Sequence, residues 1–400
     1  MSQSIMTDQF PSEWQVMRIG DLFEAKAGGD YDPSNSSNVR DNRYPHPIYA
    51  NGLTRQGLYG FSNYAEEPSG SITVTGRGTL GQAFYRDTPF VAIGRLIVLK
   101  PKTSIDARFF CEYINYGIEF AVESTGVPQL TAPQISNYLI PVPPEPEQRA
   151  IAEALSDVDG LLNALEALIA KKQAIKQAVM QQLLTGKTRL PGFSGAWKTR
   201  QLQDVSDIDP ENFSSNMASD YKFNYISLEQ VDSGKLLGYS EEVFRTAPSR
   251  ARRILRNGDV LMSTVRPNLM AHLFFQNQIS NAVCSTGFAV LRAKRDLSVP
   301  YFLFTQLFSK GVNDQITKIL AGSNYPAINS RDVKLIEIPC PAQTSEQHAI
   351  ASVLFDMDAE IAALEQRWNK TRAIKQGMMQ QLLTGRVRLS ESRICTDDTD

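Results

Sequence analysis

The chain has 400 residues, of which 42% are hydrophobic and 21% charged, and its formal net charge is −2. This length predicts two or three domains, each able to bury a core of its own, and the composition is that of a soluble globular protein. No apolar run approaches the ~18 residues of a membrane span, so we expect no membrane association. The net charge does not exclude a nucleic-acid ligand, because contact with phosphates depends on the charge of one face of the protein.

The spacing of cysteine and histidine argues against metal and redox chemistry. The four cysteines are widely separated: Cys111, Cys284, Cys340 and Cys395. We therefore expect neither a disulfide framework nor a zinc site, and the three scattered histidines form no ligand pattern. The polar N-terminus lacks the layout of a secretory signal, which predicts a cytoplasmic protein. No methyl-donor or dinucleotide fingerprint is present, so no cofactor is expected.

A short segment led by tryptophan opens the chain and returns in its middle. Trp14, Ile19 and Asp21 have the same mutual spacing as Trp197, Leu202 and Asp204. Each segment is followed by a long stretch in which the two copies look almost unrelated. We predict a first variable domain over residues 1–143 and a second over residues 187–341.

One correspondence survives inside the variable domains. Thr75-Gly-Arg77-Gly-Thr-Leu80 matches Thr264-Val-Arg266-Pro-Asn-Leu269, and each lies between two apolar runs. This match predicts a shared fold with different surfaces. Because a turn between strands can project a side chain out of its domain, Arg77 and Arg266 are the leading candidates for ligand contact.

Two segments carry the periodicity of long helices, residues 144–186 and 342–386. Their apolar positions advance alternately by four and three residues, the spacing of a coiled-coil seam. In the first helix the seam is Ile151, Leu155, Val158, Leu162, Leu165 and Ile169, and in the second it is Ile350, Leu354, Met357, Ile361, Leu364 and Trp368. Proline-rich segments precede both helices, and a glycine ends each of them.

The two helices are copies of one another. Residues 147–190 return as 346–389 without insertion or deletion, and 25 of the 44 pairs are identical. A repeat of this kind indicates duplicated domains. A helix of roughly 38 residues is ~57 Å long and needs a partner, so we expect the two to pair antiparallel within one molecule, related by a pseudo-twofold axis. A zipper between two molecules is the alternative. The acidic segment 387–400 is predicted to be a disordered tail.

No set of residues forms a persuasive active site. The acids Asp207, Asp209 and Glu211 stand in a loop rich in proline and asparagine, and we interpret them as a solvated turn. Arginine and amide side chains are more informative, because they make paired hydrogen bonds to phosphates and base edges, although for any single arginine an exposed charge on a solvated face is the alternative. The candidate DNA contacts are Arg77, Thr79, Arg266, Asn268, Arg55, Arg43, Arg252, Arg253 and Asn324.

Two divergent domains, each followed by a nearly invariant helix ending in Gln-Gln-Leu-Leu-Thr-Gly, resemble the specificity subunit of Type I restriction-modification enzymes. The resemblance is carried by Trp14 with Asp21, the proline-rich segments at 141–148 and 338–347, and the two Leu-Leu-Thr-Gly ends. It implies an α+β fold of two similar mixed α/β target recognition domains, separated by two long antiparallel helices that form an intramolecular coiled coil.

The resemblance also implies a function without catalysis. Each domain would read one half of a bipartite sequence in double-stranded DNA, and the helices would set the spacing and dock two methyltransferase (modification) subunits. Methylation and ATP-dependent cleavage would belong to those subunits and to separate motor/endonuclease (restriction) subunits. Two alternatives stay open: a coiled-coil scaffold whose variable domains bind protein or glycan ligands, and an enzyme contained in a variable domain.

Overall fold

The computed structural model describes residues 10–120, 129–214, 216–276, 279–320 and 326–389. Contacts divide the chain into two compact units. Unit 1 comprises Met1–Glu166 with Arg367–Asp400, and unit 2 comprises Ala167–Gln366. Each unit therefore holds one variable domain together with a segment of each long helix.

Unit 1 contains two four-stranded sheets. The first has the order β2 (Phe23–Ala27), β9 (Ile97–Pro101), β6 (Ser71–Val74), β7 (Ala83–Arg86), with antiparallel pairs throughout. The second has the order β3 (Ser36–Ser37), β5 (Leu58–Ser62), β4 (His46–Tyr49), β8 (Val91–Ala92), and its last pair is parallel. Strand β1 (Gln15–Arg18) pairs with β10 (Leu139–Val142), and the short helices are α1 (Ile19–Leu22), α2 (Ala107–Gly117) and α3 (Ala132–Ser136).

Unit 2 also contains two four-stranded sheets, and its first sheet repeats that of unit 1. Its first sheet has the antiparallel order β12 (Ser206–Ile208), β21 (Phe288–Ala293), β18 (Val260–Ser263), β19 (Leu273–Phe274). Its second has the order β16 (Ser240–Val243), β13 (Lys222–Ile226), β20 (Ala282–Ser285), β17 (Ala251–Ile254), with one parallel pair. Strand β11 (Lys198–Gln201) pairs with β22 (Glu337–Cys340), and β14 (Val231–Asp232) with β15 (Lys235–Leu236). The short helices are α5 (Leu202–Val205), α6 (Pro300–Gln306), α7 (Lys310–Leu320) and α8 (Ser330–Leu335).

The first sheet has the same strand order in both units, which confirms two similar mixed α/β domains. Strands β6 and β18 are buried at all four of their positions. Burial at every position shows that both strands are covered on both faces, including the polar Ser71 and Thr73 of β6. The loops carrying Arg77 and Arg266 follow these two strands, so the best protected part of each sheet supports them.

The two long helices, α4 (Glu145–Leu183) and α9 (Thr344–Leu382), have 39 residues each. Their segments run antiparallel within each unit. In unit 1, Lys375 lies 2.7 Å from Asp159. In unit 2, Lys176 lies 2.5 Å from Asp358. The predicted antiparallel pairing within one chain is therefore confirmed.

All twelve predicted seam residues are buried or half-buried. The seam does more than join the helices, because its ends belong to the domain cores. Ile151 and Leu155 pack in one cluster with Phe109 of the first variable domain. Ile350 and Leu354 do the same with Phe302 of the second. Each domain is thus built onto the helix segments of its own unit.

Two sequence predictions fall partly or wholly outside the described residues. Asn324 is one of them, and residues 390–400 of the predicted tail are the other. Of the tail, residues 387–389 are described, and Arg388 makes side-chain contacts that are taken up below.

Candidate nucleic-acid interface

The loop that carries Arg77 is held at its base by hydrogen bonds to the backbone of Gly76. Gly76 N donates a hydrogen bond to Asn51 Oδ1 (2.7 Å), and Leu130 N donates one to Gly76 O (2.9 Å). Gly78 adopts φ +73°, a conformation that favours glycine. The side chains of Arg77 and Thr79 are exposed beyond this anchored base.

The loop that carries Arg266 occupies the matching position of unit 2. Arg266 N donates to Pro326 O (2.7 Å), and Ile328 N donates to Thr264 O (2.9 Å). Pro267 is buried and begins a 3₁₀ turn that ends at Leu269. Arg266 and Asn268 are exposed.

Each loop pairs with the corresponding backbone segment of its own domain. Arg77 forms a backbone bridge with Gln129, and Val265 forms one with Ala327. The match between the two loops in sequence is therefore also a match in topology. The backbone contacts that hold the two loops are alike, while the exposed side chains differ. Two domains of the same fold can present different ligand surfaces in this way.

Arg43 and Arg55 are also exposed on unit 1. The Arg43 guanidinium lies 5.3 Å from the centroid of the Tyr44 ring. Arg55 lies in the turn Thr54–Gly57 and, like Gln56, adopts a left-handed backbone, with φ values of +51° and +54°. Left-handed non-glycine residues cost free energy and cluster at functional sites, so the rest of the domain must hold this turn.

Arg86 holds the turn from inside the domain. Its side chain is 2% exposed, its Nη2 donates to Gln56 O (2.8 Å), and its Nε donates to Thr73 Oγ1 (2.9 Å). The guanidinium stacks 3.5 Å from the centroid of the Tyr49 ring. Burial lowers the pKa of Arg86. A buried cation that binds a carbonyl instead of a carboxylate is costly, and here it fixes the backbone beside Arg55.

The two predicted contacts on β17 are less available than the loop residues. Arg253 has a side chain only 12% exposed and forms an ion pair with Asp209 (2.6 Å). Arg252 is half-buried, donates to Ser249 O (3.0 Å) and lies 5.4 Å from the centroid of the Phe244 ring. The structure therefore places Arg253 in the packing of its domain and leaves Arg252 partly accessible.

Two of the three acids in the 207–211 segment, Asp209 and Glu211, do not form a solvated turn as we expected, whereas Asp207 is exposed. Asp209 accepts hydrogen bonds from Val290 N (2.8 Å) and Ser330 Oγ (2.7 Å). Glu211 pairs with Arg292 (2.5 Å) and Arg256 (2.8 Å). The expectation failed for these two acids because their partners come from distant parts of the chain. They tie strands together and show none of the geometry of a metal-binding carboxylate set.

A second group of contacts joins each variable domain to its helices. In unit 1, Trp14 Nε1 donates to Glu147 Oε2 (3.0 Å), and Arg388 makes a two-point contact with the same carboxylate (2.6 and 2.8 Å). In unit 2, Arg189 makes the same contact with Glu346 (2.5 and 2.6 Å). The Glu–Arg pair is therefore used twice, whereas the tryptophan hydrogen bond belongs to unit 1: the buried Trp197 Nε1 of unit 2 has no hydrogen-bond partner among the described residues.

The glycine of each Leu-Leu-Thr-Gly end lies beside the tryptophan of the same unit. Gly186 and Gly385 adopt φ values of +69° and +68°. A Cβ at Gly186 would lie 2.9 Å from the Trp197 ring, and one at Gly385 would lie 2.5 Å from Pro11. Each glycine is required both by the left-handed helix end and by the close approach of the aromatic segment.

A half-buried charge cluster joins the two helices to the variable domain in unit 1. Lys375 of α9 lies 2.7 Å from Asp159 of α4 and 3.2 Å from Glu112 of the domain. Burial raises the pKa of Glu112, and the ammonium group of Lys375 opposes that rise. In unit 2 the equivalent pair is Lys176 with Asp358, which also accepts a hydrogen bond from Tyr301 Oη (2.6 Å).

Over the described ranges, no group of three or more His, Cys, Asp and Glu residues could hold a metal ion. Within the same ranges, no helix has the length and apolar character needed to cross a membrane.

Comparison with known proteins decides the family. A family model described as Type I restriction modification DNA specificity domain matches residues 11–177 and 195–374. The chain belongs to this family. Its members are specificity subunits, which recognise DNA sequence and are not themselves catalytic. The two matched ranges correspond to the two domains with their following helices.

Full-length relatives of this specificity subunit are distant in sequence. The MjaVIII specificity subunit of Methanocaldococcus jannaschii is 22% identical over 95% of this chain and 94% of its own length. The EcoDI specificity subunit of Escherichia coli is 22% identical over 94% and 88%. The S subunit from M. genitalium, known from a crystal structure, shares the fold with a TM-score of 0.66, at 16% identity over 92% of this chain and 96% of that one.

Three arginines of this specificity subunit have structural roles that we did not predict from the sequence: Arg86, Arg189 and Arg388. A signal for two of them was present, because Arg189 and Arg388 are identical pairs of the long repeat. No signal pointed to Arg86, whose partners Thr73 and Gln56 O lie on other elements.

Proposed function

We propose that this specificity subunit recognises a bipartite sequence in double-stranded DNA, each variable domain reading one half. The observation that carries the proposal is the equivalence of the Arg77 and Arg266 loops. Each loop follows the corresponding buried strand of its domain and is hydrogen-bonded to the corresponding segment, but the two loops present different side chains. Phosphate contacts would supply most of the affinity, and base-edge contacts from these loops would supply the sequence preference.

In this proposal the helix pair sets the distance between the two halves of the target. Each variable domain is joined to its own helix segments by ion pairs and a shared core, which supports a fixed attachment. A stiff helix converts residues into length, and one turn of B-form DNA is ~34 Å. The length of the helices would therefore select the gap between the half-sites.

The proposed partners perform the chemistry. Two methyltransferase subunits would dock on the helix pair, and motor/endonuclease subunits would join that complex, so the chain itself would use no cofactor. Family membership supports an assembly of this kind.

An exchange of one domain tests the proposal. Residues 15–140 are replaced by the corresponding residues of another family member, and the chain is assembled with its methyltransferase subunits. Mapping methylated adenines across a genome should show one half of the target changed and the other half unchanged. A change in both halves would refute separate reading, and methylation that ignores DNA sequence would favour the scaffold alternative.

A helix insertion tests the spacing role. Seven residues are inserted between Glu166 and Ala167 and seven more between Gln366 and Arg367, where the two units divide. This keeps the seven-residue seam and adds ~10.5 Å of helix, equivalent to about three base pairs. The gap between half-sites should grow by about that amount. An insertion in one helix alone is the control, and it should disrupt assembly because it breaks the pairing.

A further inference from the structure

Leu269 is one of the most exposed large apolar side chains of unit 2: it is 60% exposed at the end of the Arg266 loop. The matching residue of unit 1, Leu80, is instead packed against the core of its domain. The same residue type at the same position of the repeat therefore has two different environments. Exposure of Leu269 is a property of the second loop and not a requirement of the fold.

The backbone around Leu269 is held firmly. Leu269 N donates to Arg266 O (2.9 Å), Met270 N to Pro267 O (3.0 Å), and His272 N to Met270 O (2.7 Å). Pro267 is buried and has a fixed φ. The exposed leucine is thus presented by a closed, hydrogen-bonded turn.

The turn also carries backbone strain at both ends. Arg266 and Met270 adopt φ values of +49° and +53°, in the left-handed region. Unit 1 has glycine, Gly81, at the position of Met270, where the same conformation costs little. Strain of this kind persists where the surroundings enforce it, and it clusters at ligand-contacting sites.

Three exposed side chains of different chemistry therefore stand within four residues: Arg266, Asn268 and Leu269. Arginine pairs with guanine or phosphate and asparagine with adenine, whereas the apolar group on a base edge of the major groove is the methyl of thymine. We propose that Leu269 is a specificity-determining residue that contacts the 5-methyl group of a thymine in the half-site read by the second domain. This inference rests on the proposed function.

Deoxyuridine supplies a direct test, because it differs from thymidine only by that methyl group. The target is first mapped from methylated adenines, and the complex of the full chain with its methyltransferase subunits is used for binding. Duplexes carry deoxyuridine in place of each thymine of the second domain's half-site, one at a time. At one position the wild-type complex should bind about fourfold more weakly, the equivalent of one buried methyl group.

The Leu269→Ala complex should bind thymidine and deoxyuridine duplexes equally at that position. Equal sensitivity in Leu269→Ala and the wild type would overturn the proposal, as would a wild-type complex insensitive at every position or a half-site without A·T pairs. Leu297→Ala is the matched control, since Leu297 is 43% exposed in the same unit outside the loop, and it should retain the deoxyuridine effect.

Two further outcomes separate the possible failures. If Leu269→Ala weakens assembly with the methyltransferase and lowers binding equally on all duplexes, Leu269 contacts a protein and the proposal is wrong. If the wild-type complex does not prefer its mapped target to a random duplex, the proposed function fails. If the wild-type complex prefers its target but shows no deoxyuridine effect, the role of Leu269 is refuted while the proposed function stands.

Discussion

Arg388 and Glu147 form a two-point ion pair, with Nε to Oε1 at 2.6 Å and Nη2 to Oε2 at 2.8 Å, although 241 positions separate them in the chain. Glu147 is 4% exposed and also accepts the indole hydrogen of Trp14. The end of the described chain is therefore attached to the start of α4. Removing Arg388 leaves a buried carboxylate without its counter-charge, and this is costly.

We predict that Arg388→Ala lowers the free energy of unfolding by about 1–3 kcal/mol, measured by urea denaturation. A chain truncated after Leu389 should match the wild type, because it retains the pair. Arg386→Ala, in an exposed neighbour, should change stability by less than about 0.5 kcal/mol. Equal effects of Arg386→Ala and Arg388→Ala would contradict a specific role for the ion pair.

Lys375 should be essential to the charge cluster between α4, α9 and the first variable domain. Its side chain is 17% exposed and neutralises both Glu112 and Asp159. Lys375→Met should destabilise the protein by about 1–3 kcal/mol, because two carboxylates are left facing each other. Adding Glu112→Gln and Asp159→Asn should restore much of the loss. The exposed Lys370→Met is the control, and a triple variant no more stable than Lys375→Met would refute the charge argument.

Arg86 should affect DNA binding through Arg55. Arg86→Lys keeps the charge but loses the planar fork that binds both Thr73 and Gln56 O. If Arg55 contacts a phosphate, Arg55→Ala should reduce the slope of log K against log salt by about one. Arg86→Lys should reduce it similarly, and the double variant should add nothing further. Additive losses in this cycle would show that the two arginines act independently; Lys100→Ala, an exposed lysine of β9, is the control.

His272 predicts a specific dependence of stability on pH. Burial lowers its pKa to about 3, whereas an unfolded histidine titrates near 6.5. Between these values the unfolded chain binds one more proton than the native chain, so stability is lost as pH falls, at roughly 1.4 kcal/mol per pH unit. His272→Gln should remove this contribution to the dependence of the unfolding free energy on pH below pH 6.5, measured by urea denaturation at a series of pH values. His348→Gln, at an exposed histidine, should leave it in place.

The predictable parts of the fold are those that local periodicity and the internal repeat determine. The four-and-three spacing from Ile151 onward located both helices, and the match of Arg77 with Arg266 located two equivalent loops. These patterns survive because a helix seam and a buried strand constrain every residue along them. The Trp and Gly positions were visible as repeats, but their contact became clear only in three dimensions.

The availability of individual arginines could not be predicted. Arg253 and Arg86 are as polar in sequence as Arg55, yet one pairs with Asp209 and the other binds backbone within its domain. What decides between a buried and an exposed arginine is a partner from a distant element, and local sequence does not encode that partner. For the same reason the acids at Asp209 and Glu211 were misread as a solvated turn.

The measurement that tests the account most directly is a genome-wide map of methylated adenines for Arg77→Ala and Arg266→Ala, each assembled with the same partner subunits. The account predicts that Arg77→Ala relaxes base preference in one half of the target only, and that Arg266→Ala relaxes it in the other half only. Relaxation of the same half by both variants, or an unchanged target in both, would contradict it.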